Sequence, residues 1–150
     1  MVAVAQSSPD FAFARVFNTG GTLAIANGTS ILTLAGEDAG NVGVTQVSGG
    51  AGYELEYDGR YLITLDVMLS KAVAEVGTIT FTIKKTTGFV ATTLTYHFDV
   101  AAESVNPRTA ITAYMNLLSD GDILEIEAIN SGAQNVTADI AMQILRLGSQ

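Results

Sequence analysis

The sequence of 150 residues predicts an all-β protein, folded as an antiparallel sandwich, jelly roll or barrel. Apolar and polar residues alternate with a period of two through most of the chain, a pattern typical of strands that bury one face. Turn sequences rich in Gly, Asn and Asp separate these alternating segments at short intervals. No segment forms a convincing amphipathic helix, and together these three observations favour the all-β class.

The strands can be placed in order along the chain. After an N-terminal arm at residues 1–10, the first fifty residues contain short, irregular strands: FAFARVF, TLAIA, SILTLAG and VGVTQV. Longer strands then alternate strictly: YLITLDVML, GTITFTIKK, TLTYHFDV, AITAYMNLL, ILEIEAI and TADIAMQILRL. Turn sequences such as YDGR, SDGD and NSGAQN separate them. Because no linker or internal repeat interrupts this series, we predict a single domain over residues 11–150.

Composition and charge exclude several classes of function. The chain has 7 basic and 15 acidic side chains, a formal net charge of −8, and Lys84-Lys85 as its only adjacent basic pair. Nucleic-acid binding needs clustered cations, so we expect none. The chain has no Cys, which excludes disulfides and thiolate zinc sites. No apolar run is long enough for a membrane helix, and the start has no basic segment typical of a secretory signal.

The stretch LLSDGDILEIEA, residues 117–128, places four carboxylates within a short distance along the chain. An acid/base pair would need one carboxyl desolvated while the other stays ionised, and nothing local supplies that asymmetry. Asp120-Gly121 is instead a hairpin turn sequence. After the turn, Glu125 and Glu127 alternate with apolar residues and so occupy a solvated strand face. We therefore predict no catalytic residues here.

Calcium is the alternative interpretation of these acids. Asp120 and Asp122 are weak candidate ligands that could combine with loop carbonyls or with Glu37 and Asp38, because calcium prefers several oxygen ligands. The spacing of an EF-hand loop is absent. We expect no cofactor and no metal, with a structural calcium ion as the less favoured possibility.

Two further groups of side chains could carry function. His97 is the only histidine, and the sequence has no nucleophile elbow to pair with it, so we interpret it as an exposed or interface residue. Tyr53, Tyr57 and Tyr61 recur every four residues. Aromatics with this spacing are typical of a core or a subunit interface, and Tyr53 and Tyr57 could alternatively contact a ligand such as a carbohydrate.

The order of these segments resembles the C1q/TNF-like jelly-roll family from about Phe11 to Leu147. The aromatic opening strand FAFARVF precedes irregular strands, and GRYLITLDVML then begins the first long strand with Gly59-x-Tyr61. AITAYMNLLSDGDILEIEA is similar to the family pattern Leu118-x-x-Gly121-Asp122 between two apolar strands, and ADIAMQILRL ends the domain.

The resemblance implies an antiparallel jelly-roll β-sandwich of about ten strands that packs as a homotrimer around an apolar threefold axis. Residues 1–10 show no collagen-like repeat, signal peptide or membrane anchor, so we expect a setting different from that of the animal members. Domains of this kind also occur in bacteriophage virions as head fibres, decoration proteins and tail knobs, and a short chain rich in Thr, Ala and Gly fits that setting better.

Apolar residues on the outer faces of the predicted strands are candidates for the trimer interface: Tyr114, Met68, Leu62, Ile123 and Ile129. Two functions are consistent with this sequence. The first is a non-enzymatic virion surface protein that contacts the capsid and possible host glycans. The second is an extracellular bacterial module that recognises a glycan or a protein.

Overall fold

The computed structural model describes residues 11–19, 23–70, 77–85, 90–98, 108–132 and 136–149. The side chains of residues 70, 90–98, 108, 109, 111 and 113–117 lie outside this description. Within the described residues the chain forms twelve strands: β1 Phe13–Phe17, β2 Leu23–Ile25, β3 Gly28–Ile31, β4 Gly36–Glu37, β5 Val44–Val47, β6 Gly52–Leu55, β7 Gly59–Ser70, β8 Gly77–Lys85, β9 Val90–Phe98, β10 Arg108–Leu118, β11 Ile123–Asn130 and β12 Val136–Gly148.

The strands form two antiparallel sheets. Sheet A has the order β10-β7-β12-β1-β4, and β2 also pairs with β12. Sheet B has the order β5-β6-β11-β8-β9, and β3 also pairs with β11. The predicted all-β sandwich of two antiparallel sheets is confirmed. The strand number exceeds the expected ten or so because the irregular first fifty residues contain very short strands, including a β4 of two residues.

The core lies between the two sheets and follows the alternation of the sequence. On β7 the buried residues are Tyr61, Ile63, Leu65, Val67 and Leu69. Apolar residues of β12, β8 and β11 meet them: Ile140, Met142, Ile144, Ile79, Phe81, Ile83, Leu124, Ile126 and Ala128. Because successive strand residues point to opposite faces, the intervening residues form the open face of each sheet.

Strands β7 and β12 form the centre of sheet A. They have 12 and 13 residues and pair along most of their lengths, with Ile63 opposite Ile144 and Leu65 opposite Met142. The register shifts between Arg146 and Gly148, which leaves Leu147 in a bulge opposite Tyr61 and Arg60. A bulge of this kind changes the direction of a side chain at the end of a sheet.

Candidate assembly surface

The open face of sheet A begins with a row of apolar side chains. Leu62 on β7 lies opposite Leu145 on β12, and Leu145 lies opposite Phe13 on β1. All three side chains are only half-buried in the single chain. Side chains that lie opposite each other on neighbouring antiparallel strands are in contact, so the three form a continuous apolar row across the sheet.

The next row on this face is polar. Thr64 lies opposite Gln143, which lies opposite Arg15. The Arg15 guanidinium forms an ion pair with Asp38 at 3.3 Å and lies 5.3 Å from the centre of the Phe17 ring. Asn41 accepts a hydrogen bond from the Arg15 backbone at 2.9 Å, which fixes the adjoining loop to β1.

A cleft of about 350 Å³ lies beyond the polar row. Its walls combine apolar and charged side chains: Arg15, Phe17, Asn18, Asp66, Met68, Asp139, Ile140 and Ala141. The Asn18 amide holds the cleft together by donating to Asp139 at 3.3 Å and by accepting from the Ile140 backbone at 2.6 Å. Along the strands, the open face of sheet A therefore consists of an apolar row, then a polar row, then a mixed cleft.

Exposed apolar side chains gather at the opposite end of this face. Phe11 is 53% exposed, Val42 is 45% exposed and Leu147 is 47% exposed. Phe11 stacks on Phe13 with 6.4 Å between ring centres, and Phe13 exchanges two backbone hydrogen bonds with Val42. We call Phe11, Val42 and Leu147, together with the neighbouring Arg60, the terminal patch.

The structure brings together only some of the predicted interface residues. Leu62 and Met68 lie on the open face of sheet A. The backbone of Tyr114 on β10 pairs with Leu62, and its side chain lies outside the described residues. Ile123 and Ile129 are instead on β11 of sheet B, so they lie on the opposite side of the sandwich. The five residues therefore do not form one continuous surface.

The open face of sheet B is mainly charged and hydroxylic. Lys84 forms an ion pair with Glu127 at 2.8 Å, and Glu125 lies opposite Lys84 in the register. Exposed apolar side chains on this face are confined to Ile31 and Ile129 among the described residues, at 39% and 41% exposure. The prediction that Glu125 and Glu127 occupy a solvated strand face agrees with their half-exposed positions opposite β8.

The Asp-Gly turn is stabilised by its own carboxylates. One Asp122 carboxylate oxygen accepts from the Ser119 backbone N–H at 2.8 Å, and the other pairs with the Lys85 ammonium at 2.6 Å. Gly121 has φ +83°, a left-handed conformation that favours glycine. Asp120 contributes its backbone N–H, which donates to the Asp58 carboxylate at 2.8 Å. Both Asp122 oxygens therefore have partners within the fold.

A calcium ion would have to compete with these contacts. Glu37 and Asp38, the other suggested oxygen donors, lie on and beside β4 of sheet A, whereas Asp122 precedes β11 of sheet B. Within the described part of the chain, no group of three or more His, Cys, Asp or Glu side chains could hold a metal ion. His97 pairs with Thr78 through the β9 backbone, and its side chain is among those outside the description.

Tyr53 belongs to the core, and the suggestion that it contacts a ligand is corrected by its burial. Its side chain is fully buried, and its single O–H is shared between the carbonyl oxygens of Leu34 and Gly50, at 3.0 and 2.8 Å. Burial raises the pKa of the Tyr53 hydroxyl well above its usual range. The Gln46 side chain also donates to the Leu34 carbonyl, so Tyr53 and Gln46 together fix this loop to the core.

Tyr57 and Tyr61 surround the buried side chain of Arg146, a residue that the sequence analysis did not single out. The Arg146 side chain, only 5% exposed, donates from Nε and Nη2 to the Asp58 carbonyl at 3.0 and 2.7 Å. Its guanidinium lies 5.6 Å from the centre of the Tyr57 ring. The Tyr61 hydroxyl donates to the Tyr57 carbonyl at 2.6 Å, and burial raises the pKa of Tyr61 to about 12 although the Arg146 charge opposes the shift. These contacts fix the loop between β6 and β7 to the C-terminal strand.

Comparison with known proteins rests on structure alone. No family model and no curated protein matches the sequence. Eiger TNF from S. frugiperda superposes with a TM-score of 0.63 at 14% identity, over 94% of this chain and 95% of that chain. Murine APRIL has a TM-score of 0.57 at 9% identity, over 91% of this chain and 99% of the other.

A third solved structure, the PRD1 vertex protein P5, has a TM-score of 0.59 at 19% identity, with 93% of this chain and 97% of that chain covered. This chain has a TNF-like fold. The predicted jelly roll is thereby confirmed. Sequence identities this low show that the fold is shared, and they do not show that the function is shared. The described residues of the TNF-like domain contain no helix that is long and apolar enough to span a membrane.

Proposed function

We propose that this chain is a non-enzymatic structural and interaction protein that assembles as a homotrimer on the surface of a phage virion. The observation that carries the proposal is the open face of sheet A, where the row of Leu62, Leu145 and Phe13 is left half-exposed by the single chain. A continuous row of apolar side chains on an open sheet face is the kind of surface that marks a protein–protein contact.

The edges of the sandwich support self-association. One flank ends in short strands, the two-residue β4 and the four-residue β5, with Glu37, Asp38, Glu54 and Glu56 close by. The other flank ends in β9 and β10, which have 9 and 11 residues and no acidic side chain. Short edges with acidic side chains resist association, whereas long edges with few charges favour it. The flank formed by β9 and β10 can pack on the open face of sheet A in a neighbouring copy. A head-to-tail contact of this kind can close into a ring.

The virion setting is supported by composition and by fold. One of the similar solved structures is the PRD1 vertex protein P5, and the superposition covers 93% of this chain and 97% of that protein. The chain is acidic, has no Cys and is poor in charged residues, at 15%. Within a virion, we propose that the trimer stabilises the capsid or a fibre or contacts the host surface.

The proposal of a non-enzymatic role rests on how the acidic side chains are used. Asp122 forms its turn, Glu127 pairs with Lys84, and Asp38 pairs with Arg15. Each of these carboxylates has a structural partner, whereas a general acid would need a desolvated carboxyl with a raised pKa.

Electron microscopy of particles made by the source organism tests the virion role. Antibodies raised against the purified chain, coupled to gold, should label intact particles at their surface, and preimmune serum should not. Label confined to bacterial surfaces or to the particle-free medium would contradict the virion role. That result would favour the extracellular bacterial module, which glycan-array binding by the purified chain would then test.

A further inference from the structure

The terminal patch has a chemistry different from the rest of the surface. Of the five large apolar side chains that are most exposed in the described residues, Phe11, Val42 and Leu147 belong to it. The patch lies beyond the Leu62 row, at the end of sheet A where the described chain begins and finishes. It is therefore separable from the central face proposed for trimer contact.

Arg60 gives the patch its charge. This side chain is exposed, and the Arg60 backbone pairs with Gly148, next to the bulged Leu147. Among the cationic side chains that the structure describes, that of Arg60 alone forms no ion pair and no hydrogen bond. Arg15 pairs with Asp38, Lys84 with Glu127, Lys85 with Asp122, and Arg146 with the Asp58 carbonyl. Asp58, two residues before Arg60, instead accepts the Asp120 N–H.

An unpaired cation is notable on a chain with a formal net charge of −8. Exposed apolar side chains are removed from water by apolar contact, and a cation at the margin of such a contact selects an anionic partner. Arg is also the cation best suited to an interface, since its planar guanidinium binds a carboxylate through two hydrogen bonds.

We propose that the terminal patch binds a peptide segment of another protein that combines apolar side chains with a carboxylate. The apolar side chains of the segment pack on Phe11, Val42 and Leu147, and its Asp or Glu pairs with Arg60. This surface goes beyond the proposed trimer, which uses the central rows of sheet A.

Binding of synthetic peptides to the purified full chain tests the inference. The probe is an extended peptide of alternating Val and Thr with one central Asp, compared with the same peptide carrying Lys, by fluorescence anisotropy at low salt. The Asp peptide should bind about tenfold more tightly than the Lys peptide. Arg60→Glu should reverse this preference while the circular dichroism spectrum stays unchanged, because Arg60 has no partner in the fold.

The apolar contribution has a matched control. Phe11→Ser should weaken binding of the Asp peptide about tenfold, whereas Ile129→Ser, at a similar exposed position on sheet B, should leave it unchanged. Failure of the Asp peptide to bind, or binding that ignores the charge at position 60, would refute the inference. The mass of the assembly, measured on the same samples, separates this outcome from failure of the trimer. If Arg60→Glu lowers self-association instead, the patch contacts a second copy and the inference is wrong.

Discussion

Asp122 does more for the turn between β10 and β11 than its neighbour Asp120. Its carboxylate holds the Ser119 N–H and the Lys85 ammonium, whereas Asp120 acts through its backbone N–H. We predict that Asp122→Asn lowers the free energy of unfolding by about 1 kcal/mol, through loss of the ion pair and a weaker turn hydrogen bond. Asp120→Asn, the matched control, should change it by less than about 0.5 kcal/mol. Urea unfolding of both variants provides the comparison.

The same turn allows a direct test for calcium. If the carboxylates act only within the fold, addition of chelator to the purified chain should leave its melting temperature unchanged. A fall of tens of degrees, which is the size expected when a structural ion is removed, would show that the fold holds a metal ion and would make Asp120 and Asp122 its candidate ligands.

Among single side chains, Arg146 is expected to contribute most to the free energy of unfolding. Its buried guanidinium donates twice to the Asp58 carbonyl and covers the Tyr57 ring. We predict that Arg146→Met destabilises the protein by about 2 kcal/mol, because the Asp58 carbonyl loses a charged donor. Arg60→Met, which removes an exposed cation from the same end of the molecule, should change stability by less than about 0.5 kcal/mol. Equal effects of the two variants in thermal unfolding would contradict this account.

The position of Arg146 could have been recognised from the sequence. In ADIAMQILRL it has the same parity as Ile140, Met142 and Ile144, which all point into the core. A cation at a core-facing position of a strand needs a buried partner. The partner itself could not be predicted, because the Asp58 carbonyl comes from a loop far away in the sequence.

At the scale of strands and turns, two glycines provide a matched comparison. Gly43 and Gly121 have φ +72° and +83°, so both favour glycine over other residues. A Cβ on Gly43 would lie 2.5 Å from the Tyr57 ring and 2.7 Å from the Ala12 Cβ, whereas a Cβ on Gly121 meets nothing within 4 Å.

We therefore predict that Gly121→Ala costs about 1 kcal/mol from backbone strain alone. Gly43→Ala should cost about 3 kcal/mol, because overpacking against Tyr57 and Ala12 adds to the same strain. Chemical denaturation measures both values. A Gly43→Ala cost no greater than that of Gly121→Ala would show that the loop carrying Tyr57 moves away freely, contrary to the packing described here.

The alternation of the sequence predicted which side chains of each strand enter the core, as on β7 and β12. It could not predict how the strands are distributed between the sheets, because alternation is local and the pairing of β7 with β12 joins distant parts of the chain. For this reason Ile123 and Ile129 were grouped with Leu62 and Met68, although the two pairs lie on opposite sides of the sandwich. The terminal patch was missed for the same reason, since Phe11 and Leu147 come to the same end of sheet A only after β1 pairs with β12.

At the scale of the whole molecule, the proposed trimer depends on the open face of sheet A. Leu62→Glu places a charge in its apolar row, and we predict that this variant dissociates the assembly because burying an unpaired carboxylate is unfavourable. Ile129→Glu places the same charge on the open face of sheet B and should leave the assembly intact. Dissociation by Ile129→Glu alone would place the contact on sheet B.

Sedimentation equilibrium of the unmodified chain at micromolar concentration tests the central claim most directly. The account predicts a single species of three times the 15.6 kDa chain mass, without dissociation on dilution through that range. A stable species of 15.6 kDa would contradict the trimer and the use of sheet A as an assembly surface.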